Sequence, residues 1–289
     1  MPQDAPIGEL APGIYIVSTP IGTARDITLR ALDVLAAADV IAAEDTRTAR
    51  RLLDIHGVAL GGRPLIAYHD HSRPAEREKL LRLAEEGRSV AYVSEAGTPL
   101  VADPGYQLVR EAAARGVGVT AVPGPSAVLA ALVLSGLPTD RFTFAGFAPA
   151  SEGQRQRFLA ELATIPSTLV LFESPKRVAR LLRELAEAMG PEREAAVARE
   201  LTKRFEEVER GTLAELARRF SARDTRGEVV VVIGRPVAKL PTEDEIAAAV
   251  EAARAEGASL RDASAAVAEA LGVPRRKVYQ IALSRSRGE

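Results

Sequence analysis

An α/β architecture of two domains with a small helical appendage is what this chain of 289 residues predicts. Three observations carry it. Short valine- and isoleucine-rich runs alternate with helical periodicity over the first 236 residues. Two of those runs, RSVAYV and GVGVTAV, lead into glycine–proline loops, SEAGTPLVADPG at 94–105 and VPGPSA at 122–127. After Pro241 the strand candidates stop and the composition turns alanine-rich. Glycine–proline loops at the carboxyl ends of neighbouring strands are where an open α/β sheet builds a ligand crevice.

In chain order, GIYIVS (13–18) reads as the first strand and TPIG (19–22) as its loop. Asp26 or Thr28 can cap a helix through LRALDVLAAAD. VIAA is the second strand, ending at Glu44, Asp45, Thr46 and Arg47. The helix after it runs to His56, with Gly57 placed to stop it. Residues 73–86 are amphipathic, with Leu80, Leu81 and Leu83 turned inward. This β–α alternation predicts a largely parallel sheet covered by helices on both faces. A second unit starts near Gly136. Its strand candidates are FTFAGF, STLVLF, REAAVA and GEVVVVIG, and ERGTLAEL reads as a strand edge leading into a helix. SPKRVARLLRELAEAMG is a helix ended by Gly190. The expected domains are 12–123, 124–236 and 242–289.

Composition narrows the class. With 47% apolar residues, 4% aromatics and no tryptophan, the cores must be aliphatic. No cysteine is present, which excludes disulfides and thiolate metal sites. His56, His69 and His71 do not form a metal-binding spacing, the last two flanking Asp70 in a predicted loop, so no metal is expected. No run approaches the roughly 18 apolar residues of a membrane span. The amino terminus lacks a basic flank before an apolar core, and a cytoplasmic location is expected.

The loops exclude some ligands and favour others. There is neither a GxGxxG nor a GxxxxGK[ST] pattern, so dinucleotide and P-loop readings have no support. TPIG, AGTPLVADPG and PGPSA each set small residues and a hydroxyl at the mouth of a sheet. Gly97, Gly105 and Gly124 would let backbone approach a ligand. Thr98 and Ser126 supply hydroxyls, and Leu100 and Val101 an apolar wall. That mix suits a neutral or cationic ligand with an adenine-like face better than a triphosphate.

TPIG…D, AEDTR, AGTPLVADPG, VPGPSA, LFESPKR and ARELTK together resemble the tetrapyrrole methylase superfamily. Within it they resemble the 16S ribosomal RNA (cytidine-2′-O)-methyltransferase branch. The resemblance spans about 13–236, and the helical tail also fits. It implies S-adenosylmethionine bound between two α/β domains, with contacts from Pro20, Thr98, Val101, Ser126 and Ala127, closed by Phe172 and Leu201. It also implies a decoding-region cytidine of small-subunit RNA as target, and a homodimer. Glu95 departs from the aspartate usual before AGTP; the charge is kept on a longer arm.

Methyl transfer from a sulfonium to a hydroxyl is an in-line displacement that needs the hydroxyl proton removed. Glu173, directly after a predicted strand, is the candidate base. Arg47, Lys176, Arg177 and Lys203 stand at strand ends or helix starts where phosphate is favoured. The alternative for all of these is a cap or an ion pair. In the tail, Ser259 can cap a helix, residues 272–274 form a turn, and a second helix carries Val278, Ile281 and Leu283 inward, a helix-turn-helix-like spacing. Arg275, Arg276, Lys277, Arg285 and Arg287 concentrate positive charge there, a candidate RNA-phosphate face. A tetrapyrrole C-methyltransferase, and a non-catalytic RNA-binding assembly factor on the same fold, remain as alternatives.

Overall fold

The computed structural model describes residues 8–69, 71–236 and 241–286. One compact unit runs up to Pro236 and a second comprises the tail.

In the first unit, a five-stranded sheet forms from β1 (Gly13–Val17), β2 (Val40–Ala43), β3 (Leu65–Ala67), β4 (Ser89–Val93) and β5 (Val119–Val122), in the order β3-β2-β4-β1-β5. Every pairing is parallel. The central strands β1, β2 and β4 are buried along their whole length, so their sequences are continuous apolar runs. Helices α1 (Leu29–Ala37) and α2 (Thr46–Ile55) cover one face, against Tyr15, Val17, Ile41 and Val93. Helices α3 (Pro74–Glu85) and α4 (Tyr106–Ala114) cover the other, where Leu80, Leu81 and Leu108 are fully buried. Burial of each such leucine is worth roughly 1.5–3 kcal/mol. Thr28 caps α1 by accepting from the Ala31 amide (3.1 Å), whereas Asp26 lies in a preceding 3-10 turn. The three-residue β3 was too short to show a period in the sequence.

A second five-stranded sheet contains β6 (Phe142–Phe147), β7 (Thr168–Glu173), β8 (Glu194–Arg199), β9 (Glu207–Thr212) and β10 (Val229–Ile233), ordered β6-β7-β10-β8-β9. Only β6 and β7 run parallel; the other pairs are antiparallel. One face carries α6 (Glu152–Ala163), α7 (Val178–Met189) and α8 (Leu213–Ser221). The opposite face is covered by α5 (Ala127–Ser135) through Val128, Ala131 and Leu132. Thus α5 follows β5 in sequence but packs on the second sheet.

The tail unit is three helices, α9 (Glu243–Ala255), α10 (Leu260–Leu271) and α11 (Arg275–Ser286), around Ile246, Val250, Val267, Val278 and Ile281. Ser259 caps α10 and Gly272 ends it in the left-handed conformation. Ala282 completes the inner face of α11 in place of Leu283, which is only partly buried. Among the described residues no helix is long and apolar enough to cross a membrane.

Candidate active site

Three loops at the carboxyl ends of β1, β4 and β5 are stitched together. Thr19 and Gly97 exchange two backbone hydrogen bonds (2.8 and 3.1 Å). The Ser18 hydroxyl donates to Thr98 Oγ1 (3.2 Å), and Thr98 Oγ1 donates to the Pro125 carbonyl (3.1 Å). Glycine here serves loop-to-loop packing. A Cβ on Gly124 would stand 2.8 Å from Ser18 Cβ, and one on Gly105 2.7 Å from the Tyr92 ring. Gly97 has φ +78°, a conformation side chains rarely adopt. The sequence-based reading of these glycines as ligand-approach points is therefore corrected at 105 and 124, where the neighbour is protein.

Backbone strain marks two positions. Among the described residues, four non-glycines have positive φ: Leu100 (73°), Ala102 (61°), Glu200 (52°) and Thr202 (61°). They flank Val101 on one loop and Leu201 on the other. Each costs on the order of 1 kcal/mol, and such strain gathers at ligand clamps. Val101 is left 39% exposed although apolar, while Leu201 is buried. The second loop is held to the loop after β1 at Thr23, whose amide donates to Thr202 Oγ1 (3.0 Å) and whose hydroxyl donates to the Thr202 carbonyl. Gly22 allows this approach, since a Cβ there would meet Thr202 Oγ1 and Lys203 Cγ at 2.6 Å.

The expected cofactor residues separate into two groups. Thr98 lies in the stitched loops, and Ser126 follows Pro125 there and caps α5 by accepting from the Leu129 amide (3.5 Å). Pro20 is half-buried beside them. Ala127, Phe172 and Leu201 share one apolar cluster with Ile21, the third residue of TPIG. Phe172 meets Phe144 and Phe147 edge to face at 4.9 and 5.6 Å. Ile21 joins the groups by leaving the loop after β1 for the cluster on the second sheet. Sequence reasoning passed over it, together with Thr23 and Thr202, although it marked the TPIG hydroxyl, Thr19; the hydroxyls in TPIGT and ELTK were the available signal.

The charged candidates are arranged differently from expectation. Glu173 has a side chain 1% exposed, and its Oε1 accepts from the Ser174 amide (2.7 Å) and from Arg177 Nε (2.7 Å). Along β7, Leu169 and Leu171 face the α6–α8 layer, whereas Val170 and Phe172 face α5. Strand alternation turns Glu173 to the α6–α8 side, away from Phe172. Its Oε1 is occupied by the Ser174 amide and Arg177, on the face opposite the apolar Ile21–Phe172–Leu201 cluster. The geometry thus favours the ion-pair alternative for Glu173, and Arg177 is engaged with it. Lys203 Nζ is likewise paired, with Glu200 (3.0 Å) and Glu228 (3.1 Å). Burial pulls the Lys203 pKa down, but these two carboxylates outweigh it and hold it above its ordinary value. Lys176 and Arg47 are exposed; Arg47 is the second residue of α2, in the turn capped by Asp45. Amides of Arg47 and Thr48 hold the Asp45 carboxyl below its usual range. In the tail, Arg275, Arg276 and Lys277 are exposed in the first turn of α11, and Arg275 also donates to the Arg261 carbonyl (3.2 Å). Arg285 pairs with Asp244, and Arg287 lies outside the described residues.

The site also contains an unsatisfied group. Thr19 Oγ1 is buried with no hydrogen-bond partner, next to Pro20 in the first loop. Buried hydroxyls are rarely left so, and a ligand that completes one is a physical reason for the exception. The orphaned hydroxyl, the exposed Val101 and the apolar Ile21–Phe172–Leu201 cluster fit a ligand with both an apolar face and hydrogen-bonding edges. A parallel sheet and a mixed sheet meeting through such loops define an α/β protein built on two sheets with a ligand-binding loop cluster between them.

Residues 13–217 match the family Tetrapyrrole (Corrin/Porphyrin) Methylases, and residues 241–286 match the RsmI C-terminal HTH domain. A Ribosomal RNA small subunit methyltransferase I of Mesorhizobium japonicum is 52% identical over 237 residues, covering 82% of this chain and 80% of that protein. Another of that name from Xylella fastidiosa is 43% identical, over 92% and 97%. Uroporphyrin-III C-methyltransferase from Thermus thermophilus, solved with S-adenyl homocysteine, is 25% identical with TM-score 0.53, covering 77% of this chain and 97% of that one. The chain belongs to the tetrapyrrole methylase family. It is a methyltransferase, and its methyl donor is S-adenosylmethionine.

Proposed function

We propose that this protein methylates the 2′-hydroxyl of a cytidine ribose in 16S ribosomal RNA, in the decoding region of the small subunit. The observation that carries the RNA reading is the union of a methylase body with a helical unit whose last helix opens on three exposed cations, Arg275, Arg276 and Lys277. Names of the similar proteins point the same way. Three cations occupy the first turn of α11, where the helix dipole disfavours them by about 0.3–1 kcal/mol each at low salt. A bound phosphate would reverse that penalty. Bound S-adenosylmethionine supplies an electrophilic methyl group. Pro20, Thr98, Val101, Ser126 and Ala127 hold it, with Thr19 as a further hydroxyl, while Phe172 and Leu201 close the apolar side. Arg47 and Lys176, both exposed, and the basic turn of α11 contact RNA phosphates; Arg177 and Lys203 hold loops.

The domain division at 12–123, 124–236 and 242–289 belongs to this reading, supported near 124 by the packing of α5 on the second sheet. The same helix supports a homodimer, since Leu129 and Val133, one turn apart, are 51% and 72% exposed. The expected compartment is the cytoplasm.

Methyl transfer from labelled S-adenosylmethionine tests the proposal. Small subunits lacking the modification should accept label that digestion returns as 2′-O-methylcytidine, and uroporphyrinogen should accept none. Label on the porphyrinogen alone would establish the tetrapyrrole alternative. Binding to subunits without any transfer would establish the non-catalytic one.

A further inference from the structure

A cavity of about 270 Å³ opens between the end of β3 and the start of α4, lined by Tyr68, His69, Arg77, Asp103, Tyr106 and Gln107 among others. None of these residues belongs to the site described above. The two are linked by the 94–105 loop, which presents Thr98 and Val101 in its middle and reaches the cavity at Asp103.

The cavity floor is built rigidly. Tyr68 is 5% exposed and meets Tyr92 edge to face at 5.6 Å. The Tyr92 hydroxyl donates to the Pro104 carbonyl (3.1 Å), and Gly105 lies so close to the Tyr92 ring that no side chain fits. Arg77 is anchored by Glu111, with Nε 2.8 Å from the carboxylate. Its charge is compensated, and the Asp103 carboxylate lines the same wall, so the cavity is polar without attracting an anion. Among the described residues no cluster of three metal-ligating side chains exists. Tyr106 is different: it begins α4 at the rim with 62% of its surface exposed. Most of this large ring is left in water beside a polar, preformed cavity. A planar face next to amide and imidazole edges suits an unstacked nucleobase.

We propose that this cavity receives one unpaired base of the RNA strand, stacked on Tyr106 with its polar edge toward Gln107 and His69. The inference rests on the RNA reading above and adds a contact that reads the base rather than the backbone.

Tyr106→Ala, Tyr106→Phe and Gln107→Ala, all at exposed positions, test it in two ways. In methyl transfer to small subunits, Tyr106→Ala should raise KM for RNA roughly tenfold or more, the scale of one lost base–aromatic stack. Tyr106→Phe should retain the wild-type KM. Affinity for S-adenosylmethionine and the thermal midpoint should match wild type in all three. In the second arm, single-stranded RNA carrying 2-aminopurine should lose fluorescence on binding wild type and Tyr106→Phe, but not Tyr106→Ala. If Tyr106→Ala equals wild type in both arms, the cavity assignment is overturned while the methylation reading stands. If wild type transfers no methyl group to RNA, the methylation reading falls, and the fluorescence arm alone decides whether the cavity takes a base.

Discussion

Thr23 and Thr202 hold each other across 179 positions of sequence, the Thr23 amide on the Thr202 hydroxyl at 3.0 Å and the Thr23 hydroxyl on the Thr202 carbonyl. Thr202 does this at φ 61°, beside Leu201 and two residues beyond Glu200, which also has positive φ (52°). The clasp joins the loop after β1 to the loop after β8, so it sets where Leu201 stands. Thr202→Ala removes the hydroxyl acceptor but keeps the backbone. Because the bond is exposed, its loss should cost about 0.5–1 kcal/mol and lower the melting temperature by only a few degrees. S-adenosylmethionine affinity, measured by calorimetry, should fall several-fold. Wild-type affinity in this variant would separate the clasp from the cofactor site.

Val101→Arg places a cation on the exposed apolar side chain of the strained loop. Since Val101 contributes little to the core, the fold should survive. A charge beside a sulfonium is repelled, so affinity for S-adenosylmethionine should drop roughly tenfold or more, and less at high salt. Unchanged binding would remove Val101 from the site.

Glu173→Gln distinguishes a base from a structural pair. With Glu173 buried against Arg177, the expected result is a stability loss of about 1–3 kcal/mol in thermal unfolding. The pH profile of turnover should keep its shape. A fall in kcat of about 10² or more at unchanged stability would instead restore Glu173 as the proton acceptor.

Glu200 predicts a pH effect. The Glu228 amide, chiefly, holds its carboxyl below the usual 4.5; burial opposes this and Lys203 adds to it. A depressed carboxylate pKa contributes stability above its unfolded value, and that contribution is lost as pH falls through the folded one. The stability gap between wild type and Glu200→Gln should therefore be constant near neutral pH and close as the pH falls below 4.5. Lys203 acts at the other end: its raised pKa contributes fully below 10.5 and is lost at more alkaline pH. A gap that persists in acid would mean that Glu200 acts through shape alone.

Charge reversal at Arg275, Arg276 and Lys277 tests the tail. If each contacts one phosphate, the slope of log affinity against log salt should fall by about 2–3. Cofactor affinity should stay at the wild-type value. Parallel slopes with equal affinities would show a merely solvated face and move the RNA contact to the α/β domains.

Near-neighbour chemistry was legible in the residues themselves. Strands such as VIAA and VVVVI, the caps at Thr28 and Ser259 and the stop at Gly57 are signalled by residues within a few positions, and the motif loops by their glycine–proline composition. So were the family and its methyl donor, through the ordered motifs. What only the tertiary structure decided lies in contacts between distant segments. Strand alternation sends each successive side chain to the opposite face, so the burial of Glu173 under α6–α8, with Phe172 beneath α5, depends on which helix layer covers which side. Whether α5 packs on the sheet it follows or on the next one cannot be read from an all-apolar helix. The orphaned Thr19 hydroxyl, the Thr23–Thr202 clasp and the cavity beside Tyr106 arise where loops far apart in the chain are brought together, and no local pattern of residues encodes that meeting.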